Sequence, residues 1–283
     1  MYFAGENGRI RYHLSKPSSN FGINVETGVV YALRTLDAER ITEPEILEVV
    51  AEDSGVPPRS GTTTLRVSIK DFNDNVPVFV KKRYEFATIE NAPVDTLVGQ
   101  VVAIDGDLNP TVVYSIRRTI RKMPFAIDEQ TGEIFVARSI DFESDPSEFN
   151  LTAVATDQDG QKDTTVVIIR VVDLNDNTPV VEYPLPNRDV VWVDPNLRTG
   201  QVVARIRATD SDSGKNGAIR IIPESSVDFL NVDPLGEIVL QRDLTTADHG
   251  RHSISVRVKD QGEPTAFILL HVSHLTHNLV IRI

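Results

Sequence analysis

Apolar and polar residues alternate in short runs along this chain. Leu65, Val67 and Ile69 interleave with Arg66, Ser68 and Lys70, and Ile254, Val256 and Val258 with Ser255, Arg257 and Lys259. A period of two sets one side of a strand on a core and the other in water. No helical stripe of useful length competes. Pro and Gly clusters such as Ser54-Gly-Val-Pro-Pro58 and Gln261-Gly-Glu-Pro264 mark loops between the strands. The pattern predicts an all-β chain. The longest apolar stretches, Val166 to Val172 (interrupted by Arg170) and Phe267 to Leu270, fall far short of the roughly 20 residues of a membrane-spanning helix.

The pattern also repeats. Phe21-Gly-Ile-Asn-Val-Glu-Thr-Gly28, Phe125-Ala-Ile-Asp-Glu-Gln-Thr-Gly132 and Phe229-Leu-Asn-Val-Asp-Pro-Leu-Gly236 share one shape, and their final glycines stand 104 residues apart both times. Each is followed by an apolar stretch, which predicts a hairpin used three times: Gly supplies the positive φ of a tight turn and Phe plugs a core. In phase with it, Asp71-Phe-Asn-Asp-Asn-Val-Pro77 returns 102 residues later as Asp173-Leu-Asn-Asp-Asn-Thr-Pro179. A period of about 100 residues is a whole sandwich rather than a solenoid unit. The expected units are residues 1–76 (partial, without opening strands), 77–178 (complete) and 179–283 (complete, with a degenerate C-terminal end).

Composition fits folded protein able to bury cores: 40% hydrophobic and 25% charged residues. The 41 acidic against 29 basic residues leave a formal charge of −12, which argues against nucleic acid and invites cations. There is no cysteine, hence no disulfide framework and no thiolate metal site. No signal peptide follows Met1, so the chain reads as a fragment whose targeting and membrane parts lie outside it.

The acidic residues keep the same register. Asp37-Ala-Glu39 returns as Asp141-Phe-Glu143, Asp105-Gly-Asp107 as Asp210-Ser-Asp212, and Asp53, Asp157 and Asp260 each follow a strand and precede a Gly-containing turn. Ca²⁺ takes six to eight oxygens at about 2.3–2.6 Å from carboxylates, amides and backbone carbonyls, which an Asp-x-Asn-Asp-Asn loop can offer. In a β-sandwich the loops gather at the two ends, so the bottom of one unit, the linker and the top of the next can meet around an ion.

On these motifs the chain resembles cadherin repeats, whose pattern comprises x-E-x, L-D-x-E, D-x-N-D-N-x-P, D-x-D and A-x-D elements, over nearly its whole length. The resemblance implies tandem seven-stranded Greek-key, immunoglobulin-like sandwiches arranged end to end, with roughly three Ca²⁺ at a complete junction. At the second junction it assigns the side chains of Glu90, Asp141, Glu143, Asp173 and Asp176 to two ions. Asp212 is then shared with a third held by Asn175, Asp210 and Asp260, and the carbonyls of Leu174, Asn177 and Asn216 fill remaining positions. At the first junction the matching set is Asp37, Glu39, Asp71, Asn73, Asp74, Asp105, Asp107 and Asp157, with the carbonyls of Phe72 and Asn75. There the x-E-x glutamate is missing, which predicts weaker binding. In the third unit Asp194 replaces that glutamate, Leu244-Thr-Thr-Ala247 replaces L-D-x-E, and no further linker motif follows, so a full cluster at its far end is not expected.

The implied function is calcium-dependent cell–cell adhesion by an ectodomain segment, with junction ions stiffening the rod. The expected setting is the extracellular side of the plasma membrane, attached through parts of the parent outside this chain. The implied partner is a cadherin-type protein, of the same or another kind, on the same or an opposing cell; neither nucleic acid nor a small-molecule substrate is expected. A passive calcium-stiffened spacer is the alternative. A secreted carbohydrate-active enzyme is remoter, because the carboxylates recur in every unit instead of forming one pair. An EF-hand at Asp210 fails, because Lys215 and Ile221 stand where that loop needs Gly and Glu. His271, His274 and His277 read as strand and tail rather than a metal face, and Trp192 as a core residue. Asn150-Leu-Thr152 matches a glycosylation acceptor but falls in an expected strand, which argues against its use.

Overall fold

The computed structural model describes residues 5, 8–117, 123–185, 190–193, 196–225, 227–248, 252–263, 265, 267–275 and 279–282. Their regular structure is β strand, apart from short 3₁₀ turns such as Thr246–Asp248.

The second repeat shows the full arrangement. Strands β6 (Val78–Phe79), β7 (Arg83–Ile89), β8 (Leu97–Gln100), β9 (Ala103–Ile104), β10 (Val113–Ile116), β11 (Phe125–Ile127), β12 (Glu133–Val136), β13 (Glu148–Thr156) and β14 (Lys162–Val172) form two main sheets, β10-β13-β14-β7 and β11-β12-β8, with β6 and β9 paired beside them. All pairings are antiparallel except β14 with β7, which run parallel from Val166↔Arg83 to Val172↔Ile89. Alternate residues of the strands interdigitate between the sheets: Ile134, Val136, Leu151, Val167 and Ile169 are buried around Phe125 and Phe149, whose rings meet edge to face at 5.3 Å.

The hairpin read from the sequence is the β11–β12 turn. Gly132 has φ +71°, a conformation side-chain-bearing residues rarely adopt, and a Cβ there would lie 2.3 Å from the Val101 carbonyl oxygen. The same turn joins β2 (Phe21–Ile23) to β3 (Val30–Ala32) in the first repeat and β20 (Leu230–Val232) to β21 (Glu237–Leu240) in the third.

The first repeat adds β1 (Ile10–Leu14), β4 (Glu45–Asp53) and β5 (Ser60–Val67), giving sheets β1-β4-β5 and β2-β3. Where the second repeat sets β7 against β14 and β8 against β12, neither β5 nor β3 has such a partner among the described residues. Val30 and Ala32 stand 104 residues before Ile134 and Val136; the later pair is wholly buried, whereas Val30 is half-buried and Ala32 exposed. An uncovered sheet face accounts for the difference.

The third repeat comprises β15 (Val180–Tyr183), β16 (Val190–Val193), β17 (Val202–Arg205), β18 (Arg207–Thr209), β19 (Arg220–Ser225), β20, β21, β22 (Ser253–Lys259), β23 (Phe267–Leu275) and β24 (Leu279–Arg282). Its core gathers Phe229, Ile238, Leu240, Val256 and Val258. It departs from the second repeat at one edge: β24 lies between β23 and β16, antiparallel to both, in the sheet β16-β24-β23-β22-β19. The side chains of Trp192, His271 and His274, and residues Asp194 and His277, lie outside the described residues.

Candidate metal centres at the repeat junctions

Both acidic linkers, 68–77 and 173–179, are segments without strand, each leaving one sandwich and entering the next. The final strand therefore aims the linker carboxylates at loops of both neighbours.

At the second junction Glu90 ends the β7 edge and is completely buried. Its two oxygens accept the backbone N–H groups of Phe142 (2.8 Å) and Leu174 (2.7 Å), so one carboxylate ties the Asp141 loop to the linker. Carboxylate oxygens of Glu90, Asp141 and Glu143 converge within 4.8 Å of one another, and those of Glu143, Asp173 and Asp212 do the same. Glu143 belongs to both groups and joins loops of the second repeat to the third. Burial and the adjacent Glu90 charge push its carboxyl up to about 7. Burial likewise raises Asp212, against the lowering effect of bonds from Asn177. Burial and mutual repulsion hold back ionisation in this cluster, and a divalent cation placed among these oxygens would favour their charged forms.

The rest of the second set lies close by. Asp173 accepts from Ser213 N (3.1 Å) and from the Asn216 amide (2.6 Å), while the Asn175 amide donates to Asp260 (3.1 Å), itself fully buried. Asp210 Oδ1 accepts from Asp212 N, but its buried Oδ2 has no protein partner. Gly217 permits the close turn: a Cβ there would fall 2.0 Å from the Asp212 carbonyl oxygen.

At the first junction oxygens of Glu39, Asp74 and Asp107 converge within 4.8 Å, one residue each from the first repeat, the linker and the second repeat. Glu39 Oε1, Asp71 Oδ1, Asn73 Oδ1, Asp105 Oδ2 and Asp157 Oδ2 are buried without a hydrogen-bond partner. Burying such atoms unpaired costs about 1–3 kcal/mol each, more for charged groups, so their gathering in one place fits a donor set of hard oxygens. Asp37 is less committed, with Oδ2 lying 3.0 Å from the Arg40 Nε. The counterparts of the two N–H groups that Glu90 secures are those of Ala38 and Phe72, and no carboxylate from an opening strand reaches them among the described residues. The expected carbonyls are partly engaged: Asn75 O accepts from the Gln161 amide (3.1 Å) and Leu174 O from Asp176 N (3.0 Å).

Three supports escaped the sequence reading. Asn75 and Asn177, expected to offer carbonyls, also donate side-chain amides to Asp107 (2.8 Å) and Asp212 (2.6 Å) across their junctions. Asn91, at φ +53°, donates to Asp176. Arg138 clamps Asp145 with two bonds of 2.7 Å, and Asp145 accepts from Asp141 N. That last signal was present, since Arg138 and Arg242 stand 104 residues apart and Asp145 and Asp248 103. In the third repeat Arg242 pairs with Asp248 in the same way, but Thr245 occupies the Asp141 position and gives its N–H and hydroxyl to Asp248. No acidic group of three converges there among the described residues.

The Cadherin domain family model matches residues 4–70 and 84–172, more than half of the chain. The chain belongs to the cadherin superfamily. Cadherin relatives extend the likeness beyond those residues. The chain is 32% identical over 270 residues to the Cadherin EGF LAG seven-pass G-type receptor fmi-1 of Caenorhabditis elegans, covering 93% of this chain and 10% of that protein. It is 31% identical over 280 residues to human Protocadherin-11 X-linked, covering 97% and 21%. It thus spans between a tenth and about a fifth of these relatives. Among solved structures, mouse Cadherin-23 EC22-24 superposes with TM-score 0.76 at 30% identity, covering 96% of this chain and 87% of that one. Protocadherin Gamma B2 extracellular cadherin domains 3-6 superposes at 0.69 and 29%, covering 96% and 68%. The molecule is accordingly a run of tandem extracellular cadherin repeats.

Proposed function

We propose that this cadherin segment binds Ca²⁺ at both junctions and so forms a stiff portion of an adhesive ectodomain on the extracellular side of a plasma membrane. Its repeats divide at 76/77 and 178/179. The carrying observation is convergence of carboxylates from consecutive repeats and their linker, with buried oxygens left unpartnered. Glu90, Asp141, Glu143, Asp173, Asp176, Asp210, Asp212 and Asp260 would hold ions at the second junction with the Asn175 side chain. The carbonyls of Leu174, Asn177 and Asn216 would complete that set. The first junction would use Asp37, Glu39, Asp71, Asn73, Asp74, Asp105, Asp107 and Asp157, with the carbonyls of Phe72 and Asn75. Bound ions would supply positive charge that offsets repulsion among acids of two repeats and fixes the angle between them. Extracellular sites of this type bind at roughly 10⁻⁴ to 10⁻³ M, so calcium outside the cell would hold the rod rigid. With no counterpart of Glu90 among the described residues, the first junction binds more weakly.

Calorimetric titration tests this reading. Wild type takes up calcium in two phases, and Asp176→Ala weakens the tighter phase by about tenfold or more; unchanged binding would overturn the ligand assignment. Beads coated with the chain separate adhesion from a spacer role. Clumping in calcium and dispersal in EDTA support adhesive contact, whereas dispersal in both assigns that contact to other parts of the parent.

A further inference from the structure

We propose that Asn150 carries an N-linked oligosaccharide, placed on the outer face of the β13-β14-β7 sheet of the second repeat. Asn150-Leu-Thr152 is the single acceptor triplet in the chain, because Asn109-Pro-Thr111 is disqualified by its proline. An expected strand position told against its use, but the structure reverses that argument. Phe149 and Leu151 point into the core and are almost wholly buried, so the alternation of β13 turns Asn150 outward, where it is exposed. Its Nδ2 makes one long bond, 3.3 Å to Glu148 Oε1, at the exposed surface. Beside it Glu148, Arg170 and Glu85 form a chain of ion pairs across the three strands at 3.1 and 3.3 Å, while Ile168 and Val166 stand opposite Asn150 and Thr152 on β14. A hydroxyl-rich sugar can rest there without displacing core side chains.

Strand pairing restricts when the sugar is added, not whether it fits. Asn150 is paired with Ile168 of β14, and the Thr152 carbonyl accepts from Arg117 N at 2.9 Å, so the folded segment cannot enter a transferase cleft. Transfer precedes pairing of β13. The donor is a polyprenyl-pyrophosphate oligosaccharide: the Asn150 Nδ2 forms a bond to its anomeric carbon, the anomeric C–O bond breaks, polyprenyl pyrophosphate leaves with that electron pair, and the amide gives up one proton.

The test is secretion of the full chain from a eukaryotic cell behind a cleavable signal, followed by peptide mapping. Peptide N-glycosidase should convert Asn150 to Asp in its tryptic peptide and sharpen the protein to a single faster band. Thr152→Ala should abolish the modification and Thr152→Ser restore it, a pair that leaves Asn150 itself untouched. An unmodified Asn150 in secreted wild type overturns the proposal, as does an oligosaccharide that persists in Thr152→Ala. The wild-type map decides even if a variant fails to leave the cell.

Discussion

The Arg242–Asp248 ion pair keeps the geometry of Arg138–Asp145 although Thr245 stands where the second repeat has Asp141. The Arg242 guanidinium holds the Asp248 carboxyl well below its usual 3.8, against the opposing effect of burial, and Thr245 adds two bonds. A carboxyl depressed in the folded state contributes stability that is present above its unfolded value and lost as pH falls through the folded one. The third repeat should therefore weaken below about pH 4. Asp248→Asn should cost roughly 2 kcal/mol at neutral pH and flatten that acid dependence, read by thermal unfolding in saturating calcium across pH. The other partner of Arg242, Asp228, is largely exposed and offsets little of the loss. This pair was legible in the matched spacing of the two arginines and the two aspartates. The amide hydrogen bonds of Asn75, Asn177 and Asn91 were not, because an amide can face its own turn or a carboxylate in the linker or next repeat, and the sequence does not say which acceptor arrives.

Turns and linkers were the most legible elements, because their chemistry is local. A left-handed residue before an apolar stretch needs Gly whatever the rest of the fold does, and three glycines in one register therefore marked three hairpins. Gly132→Ala should destabilise the second repeat by roughly 3 kcal/mol, since it adds both a strained φ and a clash with backbone that cannot rotate away. Calorimetric unfolding in calcium should move that repeat's transition and spare the third. Long-range pairings were illegible for the converse reason. Nothing in Arg83–Ile89 announces a parallel partner some 80 residues later, and nothing in Leu279–Arg282 announces insertion between β23 and β16. In the first repeat the exposure of β3 follows from a pairing that the local motif does not reveal: among the described residues β3 meets β2 alone.

As a whole, the chain joins rigid sandwiches through seams dense in like charge. Stripping calcium should let the seams flex, so small-angle scattering should record a longer, narrower distance distribution in calcium than in EDTA; identical profiles would remove the stiffening role. The parallel partnership of β7 and β14 has a mechanical corollary. Tension on the second repeat enters beside Arg83 and leaves beside Val172, at opposite ends of one seven-residue ladder, so the load falls on all its bonds at once, in shear. In the third repeat a pull between Val190 and Arg282 acts on two residues facing each other at the same end of an antiparallel pair, and opens it like a zip. Drawn from both ends, the rod should yield at its third sandwich while the second is still intact.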